Sequence, residues 1–255
     1  MLGAGSALPH PVTNGLRYGP SGYVLRDRPG ERVTLLDCGP GSIRSLGDHG
    51  IAVEHVERVV LSHEHTDHLL DLFALFFARA NPNLAPLPPL EVIGPRGIAE
   101  RMERAPAALG RWVVPRETTV VEFEPGAGAF ERDGWTFAAH PTGHTPTAVG
   151  WRVERGRATL AYSGDTGEVP EQVELARDAD LYLVECASND SDPAPHHLHP
   201  QAVARLAEAA QPRRLLLTHF YPGVDPEASR AAVEAGTGIP TLAAHDGWRG
   251  RVESA

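Results

Sequence analysis

The chain has 255 residues, 42% of them hydrophobic, and a formal net charge of −10. This length and apolar content are enough for a substantial core, so we expect one domain over residues 1–255. The acidic balance disfavours broad electrostatic binding of nucleic acid. No apolar run approaches the roughly 20 residues of a membrane span, and no secretory signal precedes the first elements. Cys38 and Cys186 stand far apart in apolar contexts. They indicate buried thiols in a reducing compartment, so we expect a cytoplasmic protein.

The first elements are short strands. Met1–Ala7 has the pattern of a strand end entering a Gly-rich turn. Because the chain starts almost inside that turn, either the strand is short or the true start lies upstream. Residues 21–25 and 31–37 alternate as two antiparallel strands. The polar and glycine-rich residues after them predict a break before a helix at 43–46.

A polar stretch then separates two apolar segments. The apolar run 59–61 predicts the end of a buried strand, and 69–77 is apolar nearly all round, as in a buried helix. Three phenylalanines of that helix are expected in the core or at a homodimer interface: Phe73, Phe76 and Phe77.

Four potential metal ligands lie on the turn between these segments. Residues two apart in extended backbone point the same way, so His63 and His65 can hold one ion. Asp67 and His68, further round the turn, are free to hold a second, and Asp67 also suits the helix N-cap. Imidazole and carboxylate ligands favour zinc, and they also allow manganese or iron.

Strands and helices alternate through the rest of the chain. We predict strands at 90–93, 118–123, 134–139, 148–153, 158–162, 181–184, 215–218 and 241–244, and helices at 98–109, 169–177, 200–210 and 226–235. Polar residues recur at strand ends, among them His144, Asp165 and His219. That pattern places a site along one edge of the sheets.

The spacing His63-x-His65-x-Asp67-His68 resembles the signature of the metallo-β-lactamase superfamily. Members fold as a four-layer αββα sandwich of the α/β class and hold one or two metal ions at one edge. The segments HTPTAVGWR from His144, AYSGDT from Ala161 and LTHFYP from Leu217 are similar to the branch that contains ribonuclease Z and related phosphodiesterases. The resemblance runs from about residue 2 to about residue 247.

The resemblance implies a ligand set for two metal ions. One ion would be held by His63, His65 and His144, the other by Asp67, His68 and His219, with Asp165 bridging them. It also implies an extra active-site histidine near the start of the helix at residue 200. Both His197 and His199 fit that position, and we prefer His197. Glu185, at a strand end, either orients this histidine or forms a structural salt bridge.

One feature of ribonuclease Z is absent from the sequence. Its long tRNA-gripping arm is inserted between the third ligand histidine and the bridging aspartate, whereas only 20 residues separate His144 from Asp165 here. A β-hairpin is expected to fill that interval. We therefore expect a small-molecule substrate, a small phosphodiester or nucleotide, and disfavour tRNA.

The resemblance implies a dinuclear metal-dependent hydrolase, most simply a phosphodiesterase that uses a metal-bridging hydroxide. Asp67 would orient the hydroxide, and His197 would stabilise or protonate the leaving side. Two alternatives stay open: a lactone or carboxylic-ester hydrolase with the same metals, and a metal-stabilised binding protein without turnover. The second ring nitrogens of the ligand histidines need acceptors, and the candidates are His140, Glu64 and Asp246.

Overall fold

Two mixed β-sheets form the centre of the fold in the computed structural model, which describes residues 1–8, 10–12, 14–28, 30–114, 118–126 and 128–254. In spatial order the strands of the first sheet are Gly22–Leu25 (β1), Val33–Cys38 (β2), Val56–Val60 (β3), Glu91–Pro95 (β4) and Thr119–Phe123 (β5). β1 is antiparallel to β2, and the other neighbours are parallel.

The second sheet joins a meander to a parallel half. In chain order its strands are Ala129–Arg132 (β6), Trp135–Pro141 (β7), Val149–Arg155 (β8), Ala158–Tyr162 (β9), Leu181–Glu185 (β10), Leu215–Thr218 (β11) and Thr241–Ala243 (β12). β6 to β9 pair antiparallel, and β9 to β12 pair parallel. β8 and β9 form the expected hairpin between His144 and Asp165. β6 was not predicted, because its residues AFER show no sustained alternation.

The helices are Ser42–Asp48 (α1), Thr66–Leu69 (α2), Asp71–Arg79 (α3), Ile98–Leu109 (α4), Pro170–Ala176 (α5), Pro200–Ala210 (α6) and Pro226–Thr237 (α7), with a 3₁₀ turn at Val53–His55. The helix predicted at 69–77 is therefore two helices, and His65, not Asp67, is the N-cap residue of α2. Phe76 is buried in the core, whereas Phe77 is 60% exposed. A homodimer stays a prediction. Within the described residues no helix is long and apolar enough to span a bilayer.

Alternating side chains of the first sheet divide the core into two. Leu35, Val59 and Val92 pack under α1, α3 and α4. Their chain neighbours Leu36, Val60 and Ile93 face the second sheet, whose other face is covered by α5 and α6. Because both faces of the central strands are buried, apolar residues stand next to each other in them, at 35–36, 59–60 and 92–93. The αββα sandwich predicted from the motif is confirmed.

One edge of this sandwich collects the polar strand ends. β3, β7, β9, β10 and β11 all finish there, since β7 and β9 are each antiparallel to β8. The indole N–H of Trp151 donates to the Leu61 carbonyl at 2.9 Å and ties the second sheet to the turn after β3. Gly39 permits the close approach of the β2 exit to that turn, because a Cβ on it would lie 1.9 Å from the Asp67 carbonyl oxygen. Met1–Ala7 forms isolated bridges to Gly22 and Phe220 instead of a strand.

Candidate metal centre

The first group of potential ligands comes from three elements. His63 and His65 follow β3, His144 follows β7 and Asp165 follows β9. His65 Nδ1 lies 3.0 Å from His63 Nε2 and 3.2 Å from His144 Nε2. Asp165 Oδ2 lies 3.7 and 3.8 Å from those two Nε2 atoms. Four lone-pair donors thus converge on one point.

A second group lies on the other side of Asp165. Asp165 Oδ1 is 3.2 Å from both His68 Nε2 and His219 Nε2. Asp67 Oδ2 is 3.6 Å from the same two nitrogens. The two oxygens of Asp165 therefore face different groups. The structure brings together all seven residues that the resemblance implied.

The spacing and bonding of these atoms fit divalent cations. Ligands at 2.0–2.1 Å around a tetrahedral zinc ion are about 3.3 Å apart, near the middle of the distances given above. Among the described residues, four buried atoms of the second group have no hydrogen-bond partner. Three of these converge: His68 Nε2, His219 Nε2 and Asp165 Oδ1. Buried polar atoms are normally satisfied, so the convergence of these three fits a divalent cation held between them.

Electrostatics within the cluster agree with this geometry. Burial lowers the pKa of His63 well below its ordinary value, and the neighbouring His68 adds to the effect. A neutral imidazole is the form that binds metal. Burial opposes ionisation of Asp165, but His219 and His68 beside it hold its pKa well below the usual range. Asp165 is thus ionised.

A buried carboxylate that was not predicted from the sequence fixes two of the histidines. Asp37, in β2, has no exposed surface and a left-handed φ of 55°. Its Oδ2 accepts from His68 Nδ1 at 2.7 Å and from the hydroxyls of Ser62 and Tyr162 at 2.8 and 2.5 Å, while Oδ1 accepts from the Ser62 N–H at 2.7 Å. The Ser62 hydroxyl also lies 2.9 Å from His63 Nδ1. The carboxylate at the end of an apolar strand was the available signal.

The three residues considered for this role lie elsewhere. Glu64 contacts Thr147 and Arg101 at the rim of the cluster. Asp246 accepts backbone N–H groups from Ala4 and Gly19. His140 is half-buried, and burial and then Arg152 lower its pKa. Within the described residues, none of these three side chains hydrogen-bonds to the ring of a proposed ligand histidine. His144 instead places its Nδ1 3.2 Å from the backbone carbonyl of His196.

His197 lies against the cluster, and His199 does not. The ring of His197 is 4.8 Å from that of His144 and 5.6 Å from that of His219. Its Nδ1 lies 3.0 Å from an oxygen of buried Glu185, as one of the two proposed roles of that carboxylate requires. His199 is the N-cap residue of α6 and bonds Asp190 at 2.6 Å.

Glu185, His197 and His219 also lie close enough to be considered as a third cation site. The carboxylate of Glu185 already accepts from the N–H groups of Thr166 and Leu198, at 2.6 and 3.1 Å, and from His197. Its hydrogen-bonding capacity is used by the protein. The arrangement is a hydrogen-bonded pair rather than a cation site.

Comparison with known proteins places this geometry in a family. A model of the β-lactamase superfamily domain matches residues 32–220. Ribonuclease Z of Mycobacterium marinum is 32% identical over 248 residues, which cover 88% of this chain and 86% of that protein. The metallo-β-lactamase fold protein YhfI of Bacillus subtilis superposes with a TM-score of 0.82 at 22% identity, over 97% of this chain and 95% of that one. The short form of human tRNase Z gives a TM-score of 0.77 at 23% identity, over 99% and 98%. The chain belongs to the β-lactamase superfamily, with the metallo-β-lactamase fold, and is related to ribonuclease Z.

Proposed function

We propose that this protein is a dinuclear metal-dependent phosphodiesterase that acts on a small phosphodiester or nucleotide. The observation that carries the proposal is the position of Asp165, whose two oxygens lie 3.2 to 3.8 Å from nitrogens of two separate histidine groups. Two ions held in this way supply Lewis-acid charge and lower the pKa of a bound water. Zinc suits the histidine-rich donor set, and manganese or iron is compatible with its carboxylates.

The ligands are assigned as the sequence implied. His63, His65 and His144 would hold one ion, Asp67, His68 and His219 would hold the other, and Asp165 would serve both. Asp67 has a second task, because its side chain is 12% exposed while the other ligands of its group are almost completely buried. A carboxylate oxygen at this position accepts a hydrogen bond from the attacking water and so directs it.

Hydrogen-bond donation on the leaving side of the reaction depends on His197. Burial lowers the pKa of His197, but the Glu185 carboxylate beside Nδ1 outweighs it and raises that pKa. This favours a hydrogen on both ring nitrogens and therefore a donor at Nε2. A donor at this place stabilises negative charge that develops on a phosphoryl or leaving-group oxygen. Glu185 acts through His197 by holding the ring orientation.

The proposal also concerns the size of the substrate. The β8–β9 hairpin occupies the whole interval between His144 and Asp165, and the chain carries a net charge of −10. Both features favour a small substrate over an RNA held through many phosphates. The relation to ribonuclease Z favours a second candidate, an RNA phosphodiester cleaved at the same centre.

Hydrolysis of a substrate panel by the metal-loaded protein tests the proposal. The panel contains alkyl and nitrophenyl phosphodiesters, a precursor tRNA, lactones and thioesters. We expect turnover of the small phosphodiesters, and poor processing of the tRNA 3′ end. Efficient and specific tRNA cleavage would favour the second candidate, and turnover confined to lactones would replace both with the ester hydrolase.

A matched pair of variants tests the assignment of His197. His197→Ala should lower turnover of an alkyl phosphodiester by about 10²- to 10⁴-fold with both metals retained. His199→Ala, two residues away and bonded to Asp190, is the control and should stay near wild type. The reverse result would assign the role to His199. If both variants retain full turnover, this part of the mechanism is wrong.

A further inference from the structure

Tyr221 lies beside the metal centre and has no role in the function proposed above. It follows His219 by two residues, and its backbone N–H donates to the Ala187 carbonyl at 3.2 Å. Its ring centroid is 5.8 Å from that of His219 and 5.3 Å from that of His197. The segments that follow β10 and β11 therefore hold Tyr221 at the edge of the cluster.

The hydroxyl of Tyr221 occupies the nitrogen of His197 that faces away from Glu185. Tyr221 Oη lies 3.0 Å from His197 Nε2, while Nδ1 is held by the Glu185 carboxylate. Both ring nitrogens of His197 are thus already bonded within the protein. An incoming oxygen atom can bond His197 directly only by displacing Tyr221.

The exposure of the two side chains also indicates that Tyr221 lies nearer the substrate than His197. The side chain of His197 is 9% exposed, whereas Tyr221 is only half-buried. Glu185, His197 and Tyr221 form a chain of hydrogen-bonding groups that leads from the interior to the surface of the site. Its outermost polar atom is Tyr221 Oη.

We propose that Tyr221 is the residue that contacts the leaving-group oxygen, with His197 and Glu185 as positioning residues behind it. The inference rests on the proposed phosphodiesterase function. A phenol hydroxyl has one hydrogen and can also accept, so Tyr221 Oη can give its hydrogen to the substrate while it accepts one from His197 Nε2. Because Nδ1–H is directed at the Glu185 carboxylate, His197 carries a hydrogen on both ring nitrogens in this arrangement. A hydrogen bond of this kind strengthens as negative charge develops on the leaving oxygen, so it matters most for a poor leaving group.

Tyr221→Phe removes the hydroxyl and keeps the ring, and its effect should depend on the leaving group. We expect kcat for an alkyl phosphodiester to fall by about 100-fold, the low end of the loss expected for His197→Ala and within the range for a hydrogen bond to a charged group. The matching nitrophenyl diester, whose leaving group needs little help, should lose less than about 3-fold. Tyr18→Phe is the control, because Tyr18 packs on Phe220 at 5.9 Å and has no contact with His197 among the described residues.

A double variant distinguishes two cases: His197 acts through Tyr221, or the two residues donate independently of each other. If His197 acts through Tyr221, Tyr221→Phe combined with His197→Ala should be no more than about 3-fold slower than the worse single variant. Histidine side-chain NMR gives a readout besides activity. The Nε2 resonance that disappears in His197→Ala should shift in Tyr221→Phe and stay in place in Tyr18→Phe.

The contrary outcomes differ from one another. If Tyr221→Phe keeps wild-type turnover of the alkyl diester while His197→Ala loses it, His197 contacts the substrate itself and the inference fails. An equal loss on both diesters would make Tyr221 a structural anchor and would also overturn it. Failure of the wild-type protein to hydrolyse any phosphodiester would instead overturn the proposed function, and this inference with it.

Discussion

Replacing Asp37 by Asn should selectively weaken the binding of one metal ion, while it preserves the volume of the buried side chain. The carboxylate accepts four hydrogen bonds, two from hydroxyls, one from a backbone N–H and one from His68 Nδ1. In Asp37→Asn the amide oxygen can keep the backbone bond to Ser62. The new NH₂ group then faces the two hydroxyls and the His68 ring.

The magnitude follows from which of these donors can turn. The hydroxyls of Ser62 and Tyr162 can rotate and accept from the new NH₂. His68 cannot, because a histidine that gives Nε2 to a metal keeps its proton on Nδ1. One buried hydrogen bond is therefore unmade, at a cost of about 1–3 kcal/mol. If the other tautomer forms instead, Nε2 is protonated and lost as a ligand. The affinity of the ion held with Asp67 and His219 should fall by about 5- to 150-fold.

Competition with a chromophoric chelator measures both affinities, and metal content gives the number of ions per chain. Asp180→Asn is the matched control, because Asp180 is a buried carboxylate that accepts from the Thr159 N–H at the far end of β9. We expect Asp37→Asn to weaken the binding of one ion strongly, and the control to weaken the binding of neither ion. Wild-type affinity for both ions in Asp37→Asn would refute the role of Asp37. Equal weakening in Asp180→Asn would show a general effect of losing a buried carboxylate.

Three further predictions concern the metals. Asp165→Asn should weaken both ions, because each of its oxygens faces one group; loss of only one ion in the chelator titration would contradict the bridge. In the metal-free protein burial opposes protonation of His68, but Asp165 and Asp37 raise its pKa well above the ordinary value. A metal ion must displace that proton, so the affinity for the metal should rise with pH up to that pKa. Calorimetry in buffers of different ionisation enthalpy should detect the released proton, and a metal affinity independent of pH would contradict this prediction. Chelation should lower Tm by several degrees, since a ligand at 1,000 times its Kd stabilises by about 4 kcal/mol, and this loss should be smaller in Asp165→Asn.

Most of the ligand cluster was predictable because its residues follow buried strands. A polar residue at the end of an apolar strand cannot stay in the core unpaired, and parallel strands deliver such residues to the same edge. His144 and Asp165 were identified in this way, and the structure places them together. Their roles as ligands, the single domain and the homodimer stay predictions.

Asp37 escaped prediction because its environment is non-local. It stands one residue before the end of β2, where alternation alone predicts only a strand approaching a turn. Its left-handed φ of 55° is uncommon for a residue other than glycine. Three of its four partners lie 25 to 31 residues later and the fourth, Tyr162, is 125 residues later, in the other sheet. The local pattern shows a carboxylate at a strand end, but it does not identify these partners.

The choice between His197 and His199 was open for a different reason. Two residues that are two apart point the same way in extended backbone, so spacing cannot separate them. The start of α6 at Pro200 separates them, because His199 becomes the N-cap residue and bonds Asp190. His197 remains on the loop before the helix, where Glu185 lies within 3.0 Å of it. A helix boundary therefore decides which ring faces the cluster.

Two buried carboxylates at this edge use the same chemistry for opposite purposes. Asp37 and Glu185 each lie 3.0 Å or less from the Nδ1 of one histidine, and each also accepts at least one backbone N–H. The difference is at the far nitrogen of each ring. His68 Nε2 has no partner in the described part of the chain, whereas His197 Nε2 is bonded to the Tyr221 hydroxyl. A histidine whose second nitrogen is left open toward other ligands binds a cation, and one whose second nitrogen meets a hydroxyl passes a hydrogen bond outward. At this edge the carboxylate of β2 therefore leaves the far nitrogen of its histidine open for the proposed metal, and the carboxylate of β10 directs its histidine to hydrogen-bond donation.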